Sequence, residues 1–139
     1  MDKTISEFIS EHQIASLCVA DTKPYCFIVF YTFMPEYNLL LFKSQLSTRH
    51  AQILQNKPFI SGTILPDNNS LLKVKGLQFC GELTPHPALH ALSANAKYYL
   101  TYPMGIAIPG QIWQVEIREA KLTDNGVHFG YKLNWKKED

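Results

Sequence analysis

The residues best suited to chemistry lie in one short run, Ser47-Thr48-Arg49-His50. It holds two hydroxyls, a guanidinium and an imidazole. The apolar tetrad Leu39–Phe42 and the polar turn Lys43-Ser44-Gln45-Leu46-Ser47 lead into it. Thr48–Asn56 follows with the make-up of a short helix stopped at Pro58. The pattern predicts a strand-to-helix corner. The first backbone N–H groups of a helix have no partner inside it, and its aligned peptide dipoles place roughly half a positive charge there. Such a corner favours an anion, and a phosphate suits hydroxyls and a planar guanidinium. Arg49 could fork onto two oxygens, and His50 could add a donor. The same residues also make an ordinary N-cap and a surface cation, so both readings stand at this point.

The other reactive side chains organise less. Cys18, Cys26 and Cys80 are odd in number and show no CxxC spacing, which argues against a disulfide framework or a zinc site. Each is flanked by apolar residues, which predicts buried, unreactive thiols. His86 and His90 are spaced i, i+4 at a predicted helix start. No cysteine or acidic partner completes a ligand set there, so no metal is predicted. No Ser-His-Asp or paired-carboxylate pattern stands out, which leaves a hydrolase without support.

The balance of charge excludes further classes. The formal net charge is +1, with 46% hydrophobic and 18% charged residues, and no basic stripe marks a nucleic-acid surface. No apolar run reaches membrane-spanning length. The opening Met1-Asp2-Lys3-Thr4 lacks a cationic segment followed by an apolar core, and the expectation is a cytoplasmic protein. The 139 residues predict a single domain, 1–139.

A barrel of short strands must position the corner. Thr4-Ile5-Ser6-Glu7 reads as a capping box opening an amphipathic helix through Ile5, Phe8 and Ile9. Ile14–Ala20 reads as a strand. Tyr25–Phe33 reads as a second strand, apolar on both faces, so that one face should meet a ligand or a second subunit. Leu39–Lys43 is the third. Phe59–Leu65 is the fourth, with Gly62 marking a bulge or a close approach. Leu71–Leu83 is the fifth, bent at Gly76 and Gly81. A helix over Ala88–Leu100 should bury Leu89, Leu92, Ala96 and Tyr99. Gln111–Leu122 alternates, Asp124-Asn125-Gly126 signals a hairpin, and Val127–Trp135 returns. The fold class is mainly β (α+β): a six- to seven-stranded antiparallel split β-barrel with short flanking helices.

In that order the segments resemble a known family. Phe42-Lys43-Ser44, Ser47-Thr48-Arg49-His50 and Asn56-Lys57-Pro58-Phe59 are similar to the FMN-binding split-barrel superfamily, of which pyridoxamine 5′-phosphate oxidase is the best-known member. Thr48–Gln52, Gly76–Phe79 with Gly81-Glu82, Trp113-x-Val115-x-Ile117, Thr123-Asp124-Asn125 and Phe129-Gly130-x-Lys132-x-x-Trp135 resemble its YhbP-like (UPF0306) branch over nearly the full length. The resemblance implies a homodimer with flavin sites at the subunit interface. It implies FMN with its phosphate at Ser47, Thr48, Arg49 and His50. Phe42, Lys43 and Ser44 would complete the phosphate side, and the backbone around Cys26, Phe27, Ile28 and Val29 would run along the flavin ring. Where the oxidase's turn ends in an Arg-Lys pair, this chain has Arg49-His50. An unperturbed imidazole is mostly uncharged at neutral pH, so a weaker hold on the phosphate is expected. Oxidation of pyridoxamine phosphate is not carried over.

Three functions follow as alternatives. The first is a flavin-dependent oxidoreductase in which FMN carries hydride or electrons and no side chain need act as acid or base. The second is a non-enzymatic module holding FMN, haem or another flat, anionic small-molecule ligand on the same barrel. The third is a dimeric interaction protein with an empty cleft. Gln78, Trp113 and Trp135 are candidates to line the cleft, each with an ordinary strand or core role as its counterpart.

Overall fold

A computed structural model of the chain describes residues 1–138. The strands are β1 (Ile14–Ala20), β2 (Pro24–Met34), β3 (Leu39–Ser44), β4 (Phe59–Ile64), β5 (Lys75–Leu83), β6 (Gln111–Asp124) and β7 (Lys132–Lys136). The helices are α1 (Lys3–Glu11), α2 (Arg49–Asn56) and α3 (Ala91–Thr101). All strand pairs are antiparallel, in the order β3-β2-β1-β4-β5-β6-β7, and β3 also pairs with β6. That last pairing closes six strands into a barrel, with β7 as an extension of β6.

Alternation of side chains decides what is inside. Along β1 the buried residues are Ala15, Leu17 and Val19, and along β2 they include Val29, Tyr31 and Phe33. They join Leu40, Phe42, Ile60, Leu77, Phe79, Val115, Ile117 and Leu122 in one core. α1 adds Ile5, Phe8 and Ile9 to that core, and α2 adds Ala51 and Leu54. Tyr31 donates its hydroxyl to the Ile9 carbonyl at 2.7 Å, which ties α1 to β2. A second, smaller cluster lies on the opposite face of β2 and β3. There Met34, Leu39 and Leu41 meet Ala94 and Tyr98 of α3.

Two glycines are required by closeness. A Cβ on Gly62 would sit 2.6 Å from the Phe79 ring and 2.7 Å from Leu17, so β4 can pass under those side chains only without one. A Cβ on Gly81 would run into the Glu116 carbonyl. The β5–β6 register slips between Cys80 and Gly81, where Cys80 faces Glu119 and Gly81 faces Ile117. The bulge turns the long β6 so that one half pairs with β3 and the other with β7.

The structure corrects several expectations about elements. α1 is capped by Asp2, whose carboxylate accepts from Thr4 N and Ile5 N, and not by a Thr4–Glu7 box. Glu7 instead lies 3.8 Å from Lys3 on the surface. Leu71–Lys73 forms a 3₁₀ turn, and β5 begins only at Lys75. The β6–β7 hairpin forms with a longer loop than a tight Asn-Gly turn, because Asn125 Oδ1 accepts from Gly130 N at 3.0 Å and holds 125–130 as a compact loop outside the sheet. The third helix opens with a 3₁₀ turn, Pro87–His90, before α3. It buries Ala94 and Tyr98, whereas Leu89 and Leu92 are exposed. The thiols differ too: Cys18 is half-buried, and Cys26 and Cys80 are exposed. Their apolar neighbours point to the other face of each strand.

Candidate functional site

The corner forms where the sequence places it. β3 ends at Ser44, a turn runs to Thr48, and α2 begins at Arg49. Thr48 is the N-cap: its hydroxyl accepts from Ala51 N at 3.3 Å and donates to the Gln45 carbonyl at 2.9 Å. The N-cap reading is therefore realised, and it leaves the Arg49 and His50 N–H groups at the open end of the helix.

His50 is the centre of the corner. Its ring stacks on Phe27 with centroids 3.8 Å apart and planes 2° from parallel. Its Nε2 lies 2.6 Å from Ser44 Oγ and 3.2 Å from Thr48 Oγ1. Thr48 has one hydroxyl proton and gives it to Gln45, so a Thr48–His50 bond requires the imidazole proton on Nε2. On that tautomer Ser44 Oγ accepts from His50, and its own proton is within reach of Thr48 Oγ1 at 3.4 Å. Burial lowers the His50 pKa from its ordinary value of 6.5. His50 is thus a neutral positioning group and does not replace the missing lysine. The formal positive charge at the corner is Arg49, an exposed residue whose guanidinium lies 4.3 Å from the centroid of the Tyr25 ring.

The predicted residues divide by face. Phe27, Phe42, Ser44, Thr48 and His50 come together, with Phe42 ringed by Phe27 at 5.9 Å and by Trp113 at 6.3 Å. Arg49 stands at their edge and Ser47 in the exposed turn. Lys43 lies elsewhere. Its Nζ donates to the Gly105 carbonyl at 2.8 Å and sits 4.8 Å from the Tyr99 ring, beside α3. Val29 is core, and Ile28 points outward and is 76% exposed.

A larger space lies on the outer face of the barrel. It measures about 810 Å³ and is walled by β1, β4, β5, β6 and β7, with Cys26 of β2 at one side. That volume is in the range of small-molecule clefts. Of the eleven residues that the resemblance assigns to the flavin site, Cys26 alone lines it. Gln78 and Trp135, named above as cleft candidates, both do; Trp113 does not, being buried with its Nε1 donating to the Ser44 carbonyl at 3.0 Å. Arg49 lies on Tyr25, which packs toward the core, whereas the next residue, Cys26, faces the cleft, so the corner and the cleft lie on opposite faces of β2. Sequence reasoning missed Ser16, Ser61, Thr63 and Glu119 of the cleft. Their outward alternation was legible strand by strand, but the strand order that gathers them was not.

Among the described residues, no group of three His, Cys, Asp or Glu side chains is placed to hold a metal ion. His90 stacks on Tyr37 at 3.9 Å. No helix among those residues is long and apolar enough to cross a membrane.

Comparison with known proteins adds the relationship. No family model matches the chain. Among solved structures, a haem-binding protein from Mycobacterium smegmatis superposes with a TM-score of 0.78 at 12% identity, over 94% of this chain and 56% of that one. An FAD-binding protein from Mesorhizobium loti gives 0.64 at 14% identity, over 86% and 92%. At such identities the likeness is one of fold, and the fold is the split barrel. A UPF0306 protein of Photorhabdus laumondii is 31% identical over 134 residues, which is 96% of this chain and 94% of its own. The chain belongs to the UPF0306, or YhbP-like, family of split-barrel proteins.

Proposed function

We propose that this barrel binds FMN, with the phosphate at the β3–α2 corner, as a cytoplasmic homodimer whose second subunit completes each site. The observation that carries the reading is Arg49: an exposed guanidinium on the first residue of α2, lying over the Tyr25 ring at the open end of that helix. Ser47 and the N–H groups of Arg49 and His50 add donors, and Ser44 adds a hydroxyl oriented by His50. The backbone of Phe27, Ile28 and Val29 lies along the ring, and Phe42 supports the corner from inside. Lys43 acts through its backbone, because its ammonium is held by Gly105. FMN, when bound, supplies hydride or electron chemistry; the chain supplies position and charge. A flavin-dependent oxidoreductase of unassigned substrate follows from that reading.

The fold relatives include haem as well as flavin binders, so the first test is the visible absorbance of freshly purified protein. A flavin spectrum is expected, or an apoprotein that takes up FMN. A haem Soret band with no uptake of FMN overturns the reading. Arg49→Ala is expected to weaken FMN by about 1.5–3 kcal/mol, the range for hydrogen bonds to a charged group. An unchanged affinity removes Arg49 from the site.

A further inference from the structure

The cleft wall carries three thiols in one row across the sheet. Cys26 of β2 faces Cys18 of β1, Cys18 faces Ser61 of β4, Ser61 faces Cys80 of β5, and Cys80 faces Glu119 of β6. All of these residues line the same concavity.

The β1–β2 ladder fixes the relation of the first two. Tyr31 N donates to Gln13 O at 2.8 Å, and Asp21 N donates to Lys23 O at 3.3 Å. These bonds lie at the two ends of the ladder. Hydrogen-bonded and non-hydrogen-bonded pairs alternate along an antiparallel pair. Counting inward from either bond makes Cys18–Cys26 a non-hydrogen-bonded pair. Pro24, which has no N–H, occupies the same class of position opposite Ala20. Directly opposed Cα atoms in such a pair are about 4.5 Å apart, and their side chains lean together. A disulfide spans Cα separations of about 4.4–6.8 Å. Cys80 is two strand spacings from Cys18, or about 9–10 Å, beyond that reach. One cysteine pair on the row can close, and the third thiol is excluded.

We propose that Cys18 and Cys26 form a reversible dithiol–disulfide site on the cleft wall, oxidised by exchange with a low-molecular-weight disulfide. The thiolate of Cys26, the exposed member, attacks one sulfur of the small disulfide RSSR, and one RS⁻ leaves and takes up a proton. Cys18 then loses its proton and attacks Cys26 Sγ, forming the Cys18–Cys26 bond and expelling the second RS⁻. Two protein thiols lose two electrons and two protons, and RSSR becomes two RSH. The order of attack agrees with the surroundings. Burial first, and then the neighbouring Cys26, raises the Cys18 thiol pKa, so Cys18 is the poorer first nucleophile. Burial and the facing Glu119 carboxylate raise the Cys80 thiol as well, which keeps it protonated and slow. The bond would close only the tight β1–β2 hairpin. Short loops give the smallest entropic gain, so the pair suits a redox site better than a structural staple.

The test does not depend on flavin. Native protein is equilibrated in equal concentrations of reduced and oxidised glutathione, quenched in acid, alkylated and mapped by mass spectrometry. The expected product links Cys18 to Cys26, lighter by two hydrogens, with Cys80 alkylated. Cys80→Ser should leave that link intact, and Cys26→Ser should abolish it without creating a Cys18–Cys80 link. In denaturant the same mixture should scramble pairing among all three cysteines, showing that the folded register selects the pair. The proposal is overturned if Cys18 and Cys26 stay fully alkylated, if Cys26 stops as a glutathione adduct beside a free Cys18, or if Cys80 enters the link in native protein.

Discussion

His50 lies flat on Phe27, bonded to Ser44 and Thr48, and half out of water. Its lowered pKa makes it a stability switch with a definite sign. The folded state binds fewer protons at this site than the unfolded state, so stability rises with pH. The contribution is present above the unfolded value, about 6.5, and fades as pH falls through the window below it. Urea midpoints taken from about pH 7.5 to about pH 5 should fall more steeply for the native chain than for His50→Gln. Equal slopes would show that His50 is not held neutral by the fold. At this scale the types of the corner residues and the N-cap role were readable, but the stacking of His50 on Phe27 was not. A β-strand sends successive side chains to opposite faces, so Cys18 between Leu17 and Val19 looks apolar in sequence and faces outward in space. The side chains of Ile28 and Lys43 likewise point to the face opposite their sequence neighbours Phe27 and Phe42.

At the scale of elements, the strands were legible because each carries a run of apolar or alternating residues. Their ends were less so. Asp2 outcompetes Thr4 as the cap of α1 because its carboxylate reaches two N–H groups at once, at 2.8 and 3.3 Å. Asp2→Ala should cost about 0.5–2 kcal/mol in urea unfolding. Glu7→Gln should stay within about 0.5 kcal/mol, since its ion pair is exposed. The reverse ranking would restore the capping box. The face of α3 was misread for a physical reason. Pro87–His90 winds at three residues per turn, so the phase of Leu89 does not continue into the α-helix. Gly81 was readable as a bend, and the bulge gives it a number. Gly81→Ala should cost about 1–3 kcal/mol by forcing β5 away from the Glu116 carbonyl. A neutral result would mean that the bulge is free to slip.

At the scale of the whole molecule, the β3–β6 pairing closes the barrel, and no local pattern announces it. The family resemblance supplied that closure ahead of the structure. The outer face of β1 and β2 carries Ile14, Ile28 and Phe30, all exposed, and Phe30 meets the edge of Tyr102 at 5.9 Å. Beyond it Leu100 and Met104 are exposed as well. A second copy seated on the Ile14–Phe30 end of this face, away from the Cys18–Cys26 pair, would cover these side chains, which motivates the dimer. Light scattering should give twice the chain mass for the native protein. Phe30→Glu should give a folded monomer, because the side chain points away from the barrel core. A native monomer would contradict the interface and, with it, a flavin site shared between subunits.

The central claim is that the β3–α2 corner holds a phosphate. The most direct measurement compares FMN with riboflavin, which carries the same ring without the phosphate, by titrating flavin-free protein and following flavin fluorescence. The corner predicts FMN binding at micromolar concentration or below, tighter than riboflavin by about tenfold or more, the equivalent of one charged hydrogen-bonded contact. Equal affinities, or no binding of FMN at micromolar concentration, would contradict it.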